Sequence, residues 1–216
     1  MDFALLRDAF WGLTFDGIAL GAIYALISLG YTLVYGVLRL INFAHSEVFM
    51  IGTFASLVAA SGIMGVKVED DPRTGGSMIL TLLVCLLVAM LASAITAVLV
   101  EIVAYRRLRQ RGATKLATLI SAIGVSISLV EFFRIITHSL PREFPRIMDK
   151  TFLFSFAGAD IRNDKVIVII AAGVMMVALD QFISKTRLGK GIRAVSMDEN
   201  TATLMGVNIN RVITVT

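Results

Sequence analysis

"GIALGAIYALISLGYTLVYGVLRLINFAHSEVFMIGTF", residues 17–54, decides the fold. Its first part, Gly17–Val37, carries no charged residue and is long enough for an α-helix to cross the hydrocarbon of a bilayer, which takes roughly 20 residues. From Val48 the chain turns apolar again. Between the two runs sit Arg39, Asn42, His45, Ser46 and Glu47. That segment is too polar for lipid and too short for a soluble domain, so the stretch reads as two membrane spans joined by a polar turn.

The same criterion applied outward finds Val48–Val66, Met78–Val100, Leu116–Ile136 (with Glu131 and Arg134 to accommodate) and the shorter Val166–Ile183, with Asp180 near its end. The expected fold class is all-α: a polytopic membrane helical bundle with about five transmembrane helices, forming a single domain over residues 1–216. A closed β-barrel is the other way to satisfy backbone polar groups in lipid, but it needs alternating strands. Runs such as "LLVCLLVAMLA" at 82–92 do not alternate.

Composition agrees. The chain is 57% hydrophobic and 17% charged, with a mean hydropathy of +0.83, whereas soluble domains sit near 45–50% apolar and about 25% charged. A net charge of +4 does not point to nucleic acid here, because the basic residues cluster beside spans, as positive-inside topology requires. Cys85 is the only cysteine, so no intrachain disulfide forms. Gly17–Val37 is too long for a signal-peptide core, has no small-residue cleavage site after it, and is read as a retained helix.

Charge sets the expected orientation. Tyr105–Lys115 holds Arg106, Arg107, Arg109, Arg111 and Lys115 without an acid, and Ser184–Arg193 holds Lys185, Arg187, Lys190 and Arg193 without an acid. Both belong in the cytoplasm. His138–Lys165 mixes five basic with four acidic residues, and Lys67–Gly76 contains "EDDPR"; both read as external. Parity then puts the N-terminus outside and Arg39–Glu47 inside. The external segment from Pro141 to Lys165 has room for a short surface helix or a hairpin. At the other end, Val212–Thr216 reads as the first turn of a further apolar helix. The domain is therefore expected to be incomplete at its C-terminus, with further helices missing.

The polar break admits two readings on chemistry alone. It is a capped cytoplasmic turn, with Asn42 accepting from orphan N–H groups and Glu47 at the positive end of the helix dipole. Alternatively it lines a translocation path, as ionisable groups within membranes face cavities or bundle interiors. A catalytic His45–Ser46 pair is disfavoured, since adjacent helical residues point about 100° apart.

The residues themselves resemble a known family. Residues 17–54 look like the opening of bacterial branched-chain amino acid ABC transporter permeases of the LivH type, which read N-F-A-H-G-E-x-x-M-x-G-A. Asn42, Phe43, Ala44, His45, Glu47, Met50 and Gly52 match; Ser46 and Thr53 replace the usual Gly and Ala. Urea and amide permeases are similar here. A second stretch, "TRLGKGIRAVSMDENTATLMGVNINRV" at 186–212, resembles the coupling loop that docks on the ATPase, about residues 184–211. Its matching features are Gly189, Gly191, Arg193, Ala194, Asp198, Ala202, Met205, Gly206 and Asn208. Asn200 and Thr201 stand where Glu and Ala would be in the wider E-A-A-x-x-x-G pattern. Within it "DENTATLMG" reads as a short helix, started by Asp198 or Asn200 and ended at Gly206. A weaker third match covers the span-three exit, basic loop and span four, "VEIVAYRRLRQRGATKLATLISAIGVSISL".

The resemblance implies a permease subunit of an importer for branched-chain, hydrophobic amino acids in the bacterial inner membrane. It implies a second homologous permease, two ATP-binding subunits and a periplasmic substrate-binding protein as partners. Asn42, His45 and Glu47 would then shape the helix break or the translocation path, and Gly189, Arg193, Ala194, Asp198, Ala202, Met205 and Gly206 would belong to the coupling loop. The chain has no G-x-x-x-x-G-K-[ST] phosphate loop, so ATP would be used by partner subunits. No cofactor, metal set or catalytic group of its own is expected. The rival readings are a self-contained secondary transporter or channel, an intramembrane enzyme, and a truncated permease without function. Glu131 and Arg134 are expected to pair on one helix face, and Gly17-x-x-x-Gly21 could support close helix packing.

Overall fold

A computed structural model of the chain describes residues 3–39, 42–156 and 159–216. Met1 and Asp2 of the N-terminal tail, Leu40 and Ile41 of the polar break, and Ala157 and Gly158 lie outside the described residues. Among the described residues, five helical stretches are long and apolar enough to cross a membrane: Phe10–Val37, His45–Ile63, Gly75–Gln110, Leu116–Thr137 and Asn163–Lys185. The described residues are all-α apart from one hairpin.

The helices, in chain order, are α1 (Phe3–Leu38), α2 (His45–Val58), α3 (Gly75–Val100), α4 (Arg107–Gln110), α5 (Lys115–Thr137), α6 (Asn163–Lys185), α7 (Arg187–Met197), α8 (Glu199–Leu204) and α9 (Ile209–Val215). A π-helical stretch, Ala59–Ile63, continues α2, and a second, Glu101–Arg106, joins α3 to α4 without a break. The basic segment expected as a loop is therefore mostly helix. No Gly or Pro interrupts residues 77–111, and the helix stops where the Ala113 N–H closes on the Leu108 carbonyl at 3.1 Å. Of the surface helix or hairpin expected between Pro141 and Lys165, a hairpin forms, from β1 (Phe152–Phe156) and β2 (Ala159–Arg162), antiparallel, with Phe152 opposite Arg162.

The chain divides into two compact units. One comprises Met1–Gly36 and Lys150–Val207; the other comprises Val37–Asp149 and Asn208–Thr216. Within the first, Lys165 at the start of α6 pairs with Asp16 of α1, and the Asn163 N–H donates to the Thr151 carbonyl, tying the hairpin to α6. Thr186 ends α6 and caps α7: its hydroxyl donates to the Phe182 carbonyl at 2.6 Å and accepts from the Gly189 N–H at 3.0 Å. Gly17 and Gly21 mark no close approach, because a methyl at either would meet no atom within 4 Å among the described residues.

The second unit packs α2 on α3 through small residues. Ala59, Ala60, Cys85 and Ile147 form a buried cluster, with Met78, Leu82, Val84 and Val88 against it. Small side chains at such a contact make sense in lipid, where close backbone approach and dispersion replace the hydrophobic drive. Gly52 sits at the tightest point, and Ser93 Oγ donates across to the Val48 carbonyl at 3.2 Å. Phe54 of α2 meets Phe133 of α5, ring centroids 5.1 Å apart. At one end of this unit Arg73 acts as a stitch. It donates to the Met64 carbonyl, freed by the end of the π-turn, at 2.5 Å, to Thr81 Oγ1 at 3.1 Å, and through its backbone N–H to the Ile147 carbonyl at 3.0 Å. Arg73 and Ile147, from the two segments expected on the external side, thus meet at one end of the unit.

Candidate functional site

The polar break lies at the opposite end of the same unit. His45, Ser46 and Glu47 are the first turn of α2, three residues earlier than the apolar run alone marks. Glu47 takes the expected first-turn place and is buried, 8% exposed. Ser46 Oγ donates to Glu47 Oε2 at 2.9 Å. Asn42 does not cap α2; the N-cap residue is Ala44, without a side-chain bond. The Asn42 carbonyl oxygen Oδ1 instead accepts from the Ala44 N–H at 3.1 Å and from the Tyr105 hydroxyl at 2.8 Å. It closes a turn locally and anchors that turn to the far end of the α3 helix.

This contact carries a prediction. Tyr105 is 6% exposed, so deleting Asn42 leaves a nearly buried hydroxyl without its partner. Tyr105→Phe, which removes the donor and leaves Asn42 its Ala44 bond, is expected to cost about 1 kcal/mol. Asn42→Ala strands both the hydroxyl and an N–H, and is expected to cost about 1–3 kcal/mol. The double variant should cost less than the sum, read as thermal unfolding of the detergent-purified protein. Strict additivity would disprove the contact.

Beside Tyr105 lies a buried carboxylate. Glu101 is 6% exposed and faces two guanidinium groups, with Arg106 Nη2 at 2.9 Å from Oε2 and Arg109 Nη2 at 2.9 Å from Oε1. The π-helical turn is what allows this. An i to i+5 repeat carries Arg106 over Glu101 while Tyr105 reaches Asn42. Both arginines also reach α9: Arg106 Nη2 donates to Thr214 Oγ1 at 2.6 Å, and Arg109 Nη2 to Asn210 Oδ1 at 2.9 Å.

The segment expected as a coupling loop is helical over most of its length. α7 buries Gly189, Ile192 and Val195, while Arg193 faces out and Ala194 is half-buried. The apolar spacing of Leu188, Ile192 and Val195 at i, i+4 and i+7 was the available signal for α7. Its two glycines and three basic residues obscured it. α8 forms where expected. Asp198 is its N-cap, accepting from the Asn200 N–H at 3.1 Å and from the Thr201 hydroxyl, and Ala202 is its buried residue. Gly206, at φ +81°, closes it in a Schellman arrangement: its N–H donates to the Thr203 carbonyl, and that of Val207 to the Ala202 carbonyl. Met197, Leu204 and Met205 are left 81%, 87% and 81% exposed.

The residues singled out from sequence thus fall into two sets. Asn42, His45 and Glu47 belong to one compact unit, and Gly189, Arg193, Ala194, Asp198, Ala202, Met205 and Gly206 to the other. His45 is half-buried at the start of α2. Glu131 and Arg134 pair as expected at 3.3 Å, half-exposed on α5. Sequence reasoning missed Glu101, Tyr105, Asn210 and Thr214. The acid at Glu101 lies just upstream of the basic run, and only a helix continuing through that run brings them together. No group of three or more metal-ligating side chains occurs among the described residues.

Residues 13–216 match the family model for the branched-chain amino acid transport system permease component. The chain is 33% identical over 204 residues to the high-affinity branched-chain amino acid transport system permease protein BraD of Pseudomonas aeruginosa, covering 93% of this chain and 64% of that protein. It is 35% identical over 205 residues to the permease protein LivH of Escherichia coli, covering 94% and 64%. With LivH of Salmonella typhimurium it shares 34% over 207 residues, again 94% and 64%. The chain therefore spans about 64% of the length of these relatives. No solved structure matches it.

Proposed function

The chain belongs to the branched-chain amino acid transport permease family, and from that premise we propose that it is the membrane-spanning subunit of an ABC importer for branched-chain amino acids. The observation that carries the reading is the α7–α8 segment. Within it α8 is a short helix with caps at both ends, and the three large apolar side chains that flank or end it, Met197, Leu204 and Met205, are more than four-fifths exposed. An apolar surface on a capped helix suits insertion into a groove on a partner. In this reading the partner is an ATP-binding subunit, present in two copies, with a second homologous permease beside this chain and a substrate-binding protein on the external side. ATP is hydrolysed on the partners, and this chain supplies path and coupling surface. The membrane is the bacterial inner membrane, with the N-terminus external and α7–α8 cytoplasmic. Clustering of Arg106, Arg107, Arg109 and Arg111 on the α3–α4 helix supports that orientation.

A substitution at the exposed edge tests this. Leu204→Glu with Met205→Glu changes two side chains that bury little, so stability should move by less than about 0.5 kcal/mol. Loss of central apolar anchors is expected to weaken capture of the ATP-binding subunit by a factor on the order of thirty, about 2 kcal/mol. Co-purification of the tagged permease with its ATP-binding subunit measures it. Undiminished capture would refute the assigned docking surface.

A further inference from the structure

The network around Glu101 does more than neutralise a buried acid. Its two arginines each have a second partner, and both second partners lie on one helix, α9. Asn210 and Thr214 are four residues apart on α9, and Arg106 and Arg109 three apart on the helix that continues α3, so the two rungs stack along facing surfaces. Val212 and Ile213, between the rungs, are buried. Glu101 Oε2, though ion-paired, has no well-aligned hydrogen-bond donor. An acid kept buried at that cost, to hold two arginines against one helix, defines their positions rather than adding much stability.

We propose that Glu101 is a positioning residue, and that the Glu101–Arg106–Arg109 clamp passes movement of the coupling segment into the membrane-spanning helices through α9. This rests on the importer reading above. The chain leaves α8 at Leu204 and enters α9 at Ile209, so α9 is the covalent continuation of the coupling segment. A docking helix that moves with the ATP-binding subunit pulls on α9 through the short connection Met205–Asn208. The clamp ties α9 to the end of α3, and the Tyr105–Asn42 bond ties that same helix end to the turn that opens α2. Cutting the clamp leaves ATP hydrolysis on the partner intact and lets α9 move without α3.

The test uses the complete importer in proteoliposomes, with uptake of radiolabelled leucine and ATP hydrolysis measured on the same sample. Glu101→Gln removes the charge that holds both arginines. Asn210→Ala with Thr214→Val cuts the clamp at α9 and leaves the buried ion pair whole, so it decides the matter if Glu101→Gln reduces yield. Either variant is expected to lower uptake per ATP by about two- to thirtyfold, with hydrolysis per assembled complex within about twofold of wild type. Glu131→Gln, which breaks a half-exposed pair elsewhere, should leave the ratio unchanged. A wild-type ratio in the α9 double variant, or uptake and hydrolysis falling together, overturns the clamp. Wild-type uptake that does not need ATP overturns the importer reading itself.

Discussion

Gly189→Ala is expected to leave little folded protein. A Cβ at this position would fall inside the backbone of α6, 2.5 Å from the Ile183 carbonyl carbon and 2.5 Å from its Cα, and closer still to its oxygen. None of these atoms can rotate away. Overpacking a side chain against flexible neighbours costs about 1–3 kcal/mol. Here α7 must lift off α6, which also breaks the Thr186 cap, itself worth about 1 kcal/mol. The sum is about 3 kcal/mol or more, a large part of a typical total of about 5–15 kcal/mol. Gly173→Ala is the control. It lies within α6 with nothing in reach of its Cβ, and should be neutral or stabilising by about 0.4–1 kcal/mol. Thermal unfolding in detergent compares the two, and equal midpoints for Gly189→Ala and wild type would sink the close-approach account.

Gly52→Leu is expected to separate α2 from α3. The Cβ of residue 52 points at Ser93 Oγ and lies 3.5 Å from the Ala89 carbonyl oxygen, so a large side chain has no room. The expected loss is about 3 kcal/mol. Alanine is the informative variant. Its methyl meets a hydroxyl that can rotate, but rotation gives up the Ser93 bond to the Val48 carbonyl. Part of that cost is offset by the better helix propensity of alanine, about 1 kcal/mol over glycine. Adding Ser93→Ala to Gly52→Ala removes the clash, so the double variant should be more stable than the sum of the single effects, with a coupling of about 0.5–3 kcal/mol. Independent effects would mean that residue 52 and Ser93 do not meet.

The five spans were legible because crossing a membrane is a local requirement. Roughly 20 apolar residues suffice whatever the rest of the chain does, and Gly17–Val37 or Met78–Val100 state it in their own composition. The α8 helix was legible for the same reason. A cap at Asp198 and a left-handed residue at Gly206 are settled by neighbours within a few positions. The family motif at Asn42–Gly52 was equally readable, but not what its residues touch.

Partner choice was decided only in three dimensions. Tyr105 bonds Asn42 across 63 positions, and Arg109 bonds Asn210 across 101. Nothing in the local pattern of either residue names the other. Asn42 was expected to cap α2 and instead anchors a turn to Tyr105, because the π-helical stretch Glu101–Arg106 rotates the end of α3 by its extra residue. A hydropathy window averages over that rotation and cannot see it. Gly189 likewise looked like loop glycine, and its role follows from the turn at Thr186 that lays α7 back on Ile183. Insertion into lipid depends on sums along the chain. Contacts depend on the register and angle at which separate helices meet, and in a membrane those are set by small residues, π-turns and a few polar bonds rather than by hydrophobicity.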